Sequence, residues 1–214
     1  MIARLKSVEG ITVITEHIGG PTCDYNIEAA RRFANGHLPT GVEEFYRQVS
    51  SFCLEWTYTS LLNKRRPMGC IDIQPILRTF GDNWRDKTWF PLPDGVQPTP
   101  EDKWQFKFQN VLPFDIFQPE ACGCFLMDPI GGESVPENFI AYHYFGEELV
   151  RSQYTFTEYI ERMLKTYGFW YWTSVLASSV AVETGESEEF GQFMTKVYGS
   201  SWDDYFNRPG TELD

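Results

Sequence analysis

The sequence lacks both the long apolar runs and the basic surface that two large classes of protein require. No run of about 18 apolar residues occurs in the 214 residues, so no membrane-spanning helix is expected. Lysine and arginine total 18 against 30 aspartates and glutamates, giving a net charge of −12. Because phosphate contacts need basic residues, this balance argues against nucleic-acid binding and against binding to an anionic membrane.

Residues that carry enzyme chemistry are also scarce. There are three histidines and five cysteines, and no glycine-rich loop with the lysine that cradles phosphate. The closest cysteine pair is Cys122-Gly-Cys124, whereas structural zinc wants four closely spaced ligands. Adjacent carboxylates such as Glu43-Glu44 point about 100° apart on a helix and form no dyad. We therefore predict no catalytic residue, no metal, no cofactor, and free buried thiols.

One enzymatic alternative stays open at this stage. It requires ionisable side chains to converge in a deep pocket, for example His143 with Cys122 or with Glu55. The N-terminus does not resemble a signal peptide, because Lys6, Glu9 and Glu16 interrupt its apolar residues. A cytoplasmic location and a single domain spanning residues 1–214 are the expectations that follow, with a core of about 24–169 and a helical extension over 170–214.

The clearest pattern lies in residues Asn138 to Trp172. Phe139 to Phe145 is predicted to be a strand, apolar on both faces and therefore central in a sheet. Thr155 and Glu158 fit a capping box that begins a helix, and Gly168 fits its left-handed end. One apolar stripe runs along this helix: Phe156, Tyr159, Ile160, Met163, Leu164 and Tyr167.

Further helices and strands follow from periodicity and turn residues. A helix capped by Asp24 or Asn26, with Ile27, Ala30 and Phe33 as its apolar spacing, is predicted to end at Asn35-Gly36. The other predicted elements are a helix opening at Pro39, strands Ser50–Thr59, Gly69–Ile76 and Ala121–Met127, a turn Pro129–Pro136, and a helix Ser187–Gly199.

Two regions admit more than one interpretation. Ile11–Ile14 fits a short strand, whereas Thr12–Ile18 fits a helical turn. The strand before Ala121 is either one that begins at Phe106 or Val111–Phe117. Successive strands with short connections predict an α+β protein. Its mostly antiparallel sheet has five or six strands, with two N-terminal helices and C-terminal helices packed on it.

Two segments resemble the SUKH superfamily, which includes fungal cell-wall regulators and bacterial immunity proteins. LPTGVEEFYRQVSSFCLEW, Leu38 to Trp56, is similar to the family's Leu-Pro helix opening and the tryptophan of the next strand. Phe139 to Phe169 is similar to its last strand and following helix. Ser50-Ser51 departs from the family's Asn-Gly turn. The resemblance covers about Asp24 to Phe169. It implies no catalytic residue and a protein-binding role, commonly toxin neutralisation, with cell-wall regulation as the alternative.

The segment from Gly81 to Phe108 is the leading candidate for partner binding. It is broken by prolines and mixes tryptophans with carboxylates, a composition that favours protein hot spots and a basic partner. The other interpretation is that the segment folds back into a satellite core. The acidic C-terminal segment from Val182 is a second candidate. The predicted partner-binding residues are Asp82, Trp84, Asp86, Trp89, Asp94, Glu101, Asp102 and Trp104.

Overall fold

The computed structural model describes residues 1–58, 68–81, 111–118, 121–130, 133–143, 150–170, 172–173 and 184–201, and it confirms an α+β fold. Within these ranges no helix is both long and apolar enough to cross a membrane. The described helices are α1 (Ile2–Ser7), α2 (Asp24–Phe33), α3 (Val42–Tyr46), α4 (Ile76–Gly81), α5 (Phe156–Thr166) and α6 (Thr184–Tyr198).

Seven strands form one sheet in chain order, one strand more than the upper expectation. They are β1 (Ile11–Ile18), β2 (Phe52–Tyr58), β3 (Gly69–Ile73), β4 (Val111–Gln118), β5 (Ala121–Ile130), β6 (Glu133–His143) and β7 (Val150–Thr155). The pairings from β3 through β7 are antiparallel. The unforeseen strand is β7, which lacks the apolar alternation that predicts a strand because only one of its residues, Ser152, is buried.

Several local predictions were wrong. Residues 2–7 form helix α1, which was not predicted, and the strand interpretation holds for the segment from Ile11. The predicted turn Pro129–Pro136 is instead largely strand, because β5 and β6 stay paired out to Ile130 and Glu133. Pro136 is tolerated there since it lies beside a register shift, where a missing N–H costs least. The N-cap of α2 is Cys23, without a side-chain capping bond.

The chain folds into two compact units, which are described separately. Unit 1 comprises Met1–His17, Cys53–Ile71 and Glu158–Asp214, and unit 2 comprises Ile18–Phe52 and Asp72–Thr157.

Aromatic rings form the core of unit 2. The Phe114 ring lies 4.8 Å from the Phe125 ring and 5.1 Å from the Phe156 ring, and Phe80 stacks on Phe125. Phe125 points away from Cys124, so alternation along β5 separates the rings from a second buried cluster. That cluster contains Val111, Cys122, Cys124, Leu126 and Ala141. Two-sided burial of β5 fits its apolar sequence. β6 is less covered than predicted, because Phe139 is exposed.

Trp56 organises the core of unit 1. Its indole stacks on Phe193 of α6 with ring centroids 4.7 Å apart, and its Nε1–H donates to the Tyr167 carbonyl at 2.8 Å. A glycine at position 69 makes room for the indole, since a Cβ added there would lie 2.6 Å from Cζ2 of Trp56. The buried, satisfied N–H explains how a tryptophan is accommodated in a dry core.

Helix α5 ends as the sequence predicts. Gly168 has φ +62° and its N–H donates to the Met163 carbonyl at 3.0 Å, which closes the helix in the left-handed manner. The turn then returns to β3, since the Gly168 carbonyl accepts a bond from the Cys70 N–H and Trp170 donates to the Met68 carbonyl. The predicted stripe of α5 is buried at every position except the half-buried Leu164.

We predict that Gly69→Ala lowers the free energy of unfolding by about 1–3 kcal/mol, because the new methyl group overlaps the Trp56 ring. Gly20→Ala is the matched control. Nothing lies within 4 Å of the position of its added Cβ, so the change in stability should stay within about 0.5 kcal/mol. Urea unfolding followed by tryptophan fluorescence measures both variants. Equal stabilities of the two variants would contradict the packing described for Trp56.

Candidate functional site

The eight residues predicted to bind a partner lie outside the described residues, as do residues 202–214 of the acidic C-terminus. The described residue next to them is Gly81, the last residue of α4. The candidate surface therefore consists of the described elements of unit 2 near Gly81.

An exposed apolar stripe lies on α2 and consists of Tyr25, Ala29 and Phe33, which we call the α2 stripe. The three residues are four apart and so share one helix face. Tyr25 is 79% exposed, Phe33 is 57% exposed and Ala29 is half-buried, while Ile27 and Ala30 on the other face are buried. Sequence periodicity placed Phe33 with Ile27 and Ala30, which was wrong. The eight-residue spacing of Tyr25 and Phe33 was the signal that would have identified the stripe.

Phe33, at one end of the α2 stripe, lies close to Gly81, the residue that precedes the predicted partner-binding residues in the sequence. A Cβ added to Gly81 would lie 3.1 Å from the Phe33 ring. The glycine thus lets the backbone at the end of α4 pass close to an exposed aromatic ring. Asp82, the first residue predicted to bind a partner, is bonded directly to Gly81. Phe33 thus lies beside the described residue that precedes this segment.

A network of charges holds α2 against α3 and fixes the orientation of the stripe. Glu43 of α3 pairs with Arg31 of α2 and accepts from Arg47 at 2.9 Å. Arg47 also reaches Asp24 at the start of α2, and Arg31 pairs with Glu28 at 2.7 Å. The hydrogen bond from Arg47 is the largest cause that lowers the pKa of Glu43, followed in effect by Arg31. Glu43 is thus the shared acceptor that links the two helices.

None of the five cysteines forms a disulfide, and only two of them are fully buried, which corrects the expectation that all five are buried. Cys122 and Cys124 are 1% and 0% exposed, whereas Cys23 is exposed and Cys53 and Cys70 are half-buried. The hydrogen bond with Cys124, together with burial, raises the pKa of the Cys122 thiol well above its usual range. The Cys122 thiol therefore stays protonated in the core and is a poor nucleophile and metal ligand.

A buried polar network in unit 2 also involves ionisable residues. Asp115 is fully buried and its Oδ1 accepts from the Asp72 N–H at 2.9 Å, while the Tyr46 hydroxyl donates to the Gln74 carbonyl at 2.7 Å. Burial raises the pKa of Tyr46, and it also raises that of Asp72. The bonds to the Asp72 N–H and the Gln74 carbonyl tie Asp115 and Tyr46 to β3 and the turn that leads into α4.

Of the residues considered for catalysis and metal binding, the structure describes some side chains and not others. The side chain of His143 is outside the described part of the chain. Glu55 of unit 1 is half-buried and accepts from Thr15 at 3.3 Å. Among the described residues, no three histidines, cysteines or carboxylates are grouped in a way that would hold a metal ion.

Comparisons of the chain with protein-family models, with curated proteins and with solved structures find no match.

The pairing of Glu43 predicts a specific dependence of stability on pH. A lowered pKa means that the carboxylate stabilises the fold at pH values above its unfolded pKa, and that this contribution disappears as the pH falls through the folded pKa. Glu43→Gln should therefore be less stable than the natural chain at pH 7, and the difference should disappear as the pH falls through the lowered pKa of Glu43. Urea unfolding at a series of pH values measures it.

The matched control for this experiment is Glu44→Gln. Glu44 lies next to Glu43 on α3, is exposed, and forms no ion pair with any described residue. Its substitution should leave the pH dependence of stability unchanged. If the two variants lose the same stability at every pH, the network does not hold α2 to α3.

Burial predicts which thiols react in the native state. Cys23 should react with Ellman's reagent within seconds to minutes at pH 8, because it is exposed at the start of α2. Cys122 and Cys124 should react only as fast as the protein unfolds. Mass spectrometry of the labelled peptides separates the sites. Labelling of Cys122 at the rate of Cys23 would show that β5 is accessible and would favour the enzymatic alternative.

Proposed function

We propose that this protein is a non-enzymatic protein-binding module whose partner is a basic protein domain. One observation carries the proposal: two large aromatic side chains, Tyr25 and Phe33, are exposed on one face of α2, and Phe33 lies beside Gly81, from which the predicted partner-binding segment starts. Large aromatic side chains that are exposed lower the solubility of a protein, and they are typical of binding surfaces.

The shape of the α2 stripe favours a helix as the partner element. Tyr25 and Phe33 flank the small Ala29, so the stripe has two ridges and a notch at a spacing of four residues. A side chain of a partner helix fits such a notch while its neighbours pack on the two rings. The ion pairs of Glu43 hold the surface rigid, which reduces the entropy lost on binding.

The net charge of the chain indicates which class of partner it attracts. At −12 the chain attracts a basic domain and speeds its association, and the carboxylates of the segment 82–104 add to that attraction. The resemblance to SUKH proteins suggests the partner class, a toxin domain with nuclease or deaminase activity. In this mechanism the aromatic surface docks on the toxin, and the carboxylates occupy the place of phosphate at its active site. A cell-wall-type regulatory scaffold is the alternative.

The proposal predicts that the purified product of the adjacent toxin gene binds the natural chain. Tyr25→Ala and Trp84→Ala should each weaken binding by about 30-fold, the effect of removing a typical hot-spot residue of about 2 kcal/mol. Calorimetry measures the affinities. Stopped-flow association at increasing salt should show the on-rate falling, because screening weakens attraction between opposite charges.

Phe139→Ala is the matched control, since it removes an exposed aromatic side chain of β6. Its affinity should equal that of the natural chain. If no toxin is encoded nearby, if no basic protein binds, or if Phe139→Ala weakens binding as much as Tyr25→Ala, the immunity proposal fails. A growth or envelope defect on deletion, in the absence of any toxin, would instead favour the regulatory scaffold.

A further inference from the structure

Among the described strands, β1 has one edge that pairs with no other strand, and the proposed function does not use it. In the sheet order β1 is the first strand, so one side pairs with β2 and the other faces no strand of the described chain. Eight residues, Ile11–Ile18, run without glycine or proline. Such an edge offers a row of backbone N–H and C=O groups to any strand that comes alongside it.

The side chains of β1 suit pairing and do little to prevent it. Six of the eight residues are β-branched, which favours extended backbone: Ile11, Thr12, Val13, Ile14, Thr15 and Ile18. Ile14 and Ile18 are each 57% exposed. Natural edge strands are usually protected by lysine, proline, a bulge or short length, and β1 has no lysine, no proline and a length of eight residues. The charge on Glu16 is matched by an ion pair with Lys6 of α1.

We propose that β1 pairs antiparallel with β1 of a second copy of this chain, about a two-fold axis at Ile14. A two-fold axis makes the contact isologous, so one surface serves both copies. The order of residues on the exposed face decides the register. With Ile14 at the axis, Ile14 lies opposite its own copy and Thr12 lies opposite Glu16 of the other chain.

Neighbouring registers are less favourable. An axis at Glu16 sets two carboxylates directly opposite each other, which repel. An axis at Thr15 sets the exposed Ile14 against Glu16, and an axis at Val13 shortens the paired region. In the Ile14 register, Ile14 lies opposite Ile14 and the Thr12 hydroxyl lies opposite the Glu16 carboxylate. The strand pair then extends the sheet across the dimer.

The expected dimer is weak and reversible. One strand pair buries less than the roughly 1,200 Å² of a stable interface, so we expect a dissociation constant on the order of 100 µM. Each copy carries a charge of −12, and the copies repel. Added salt should therefore strengthen the dimer, since it screens this repulsion while leaving backbone hydrogen bonds in place. Binding to a basic partner has the opposite salt dependence, so the two proposals fail independently.

Sedimentation equilibrium of the full chain over a wide concentration range tests the association. Ile14→Lys puts two ammonium groups opposite each other and should raise the dissociation constant by at least about tenfold. Phe139→Lys is the control, because it makes the same kind of change at an exposed apolar residue of β6 and should leave association unchanged. Circular dichroism verifies that both variants fold. A chain that stays monomeric up to millimolar concentration overturns the proposal and leaves the edge to a strand of another protein.

Single cysteines test the register. In a background of Cys23→Ser, Ile14→Cys should form an intermolecular disulfide under mild oxidation, because the paired Cβ atoms lie about 4.5–5.5 Å apart. Thr12→Cys alone and Glu16→Cys alone should not, since each is about 13 Å from its own copy at four residues' separation. A mixture of Thr12→Cys and Glu16→Cys should cross-link. Equal cross-linking of all three single variants would show random collision and would refute the pairing.

Discussion

The fit of the Trp56 indole against Gly69 is the constraint on which the structure around it depends. Any side chain at position 69 would overlap the ring, and the ring in turn supports Phe193 of α6 and donates to the Tyr167 carbonyl. That carbonyl belongs to the end of α5, where Gly168 turns the chain back to pair with Cys70. One large ring thus ties together a strand, the end of a helix and a second helix. A methyl group added at position 69 would therefore disturb the packing of all three elements.

Unit 2 is stabilised differently. Its core contains several phenylalanine rings, while buried polar residues bind the backbone before the start of α4 and ion pairs join α2 to α3 at the surface. This arrangement keeps Asp115, Tyr46 and Cys122 away from solvent and leaves two aromatic side chains of α2 exposed. In the described part of unit 2 these ionisable groups are therefore buried, while aromatic contact area is exposed on α2.

The two proposed surfaces differ in physical character. The α2 stripe is aromatic and lies beside the acidic segment, so it suits a basic partner whose attraction weakens with salt. The β1 edge relies on backbone hydrogen bonds and aliphatic side chains, so it suits a copy of the same chain and gains from salt. A weak dimer of this kind would present two α2 stripes at once, and two linked contacts bind more tightly than one when a partner is itself repeated.

Sequence alone determined the class of the fold and its strongest elements. Apolar spacing located the buried faces of α5 and α6, alternation located β2 and β5, and Gly168 marked a helix end, because these signals depend on neighbours along the chain. Tertiary structure decided the rest. The helical state of residues 2–7, the continuation of β5 and β6 past Pro129, and the exposure of Phe33 depend on which surfaces meet across long sequence separations. The spacing of Tyr25 and Phe33 places both on one helix face, but only the folded chain decided that this face is exposed and that β1 lies at one end of the order of described strands.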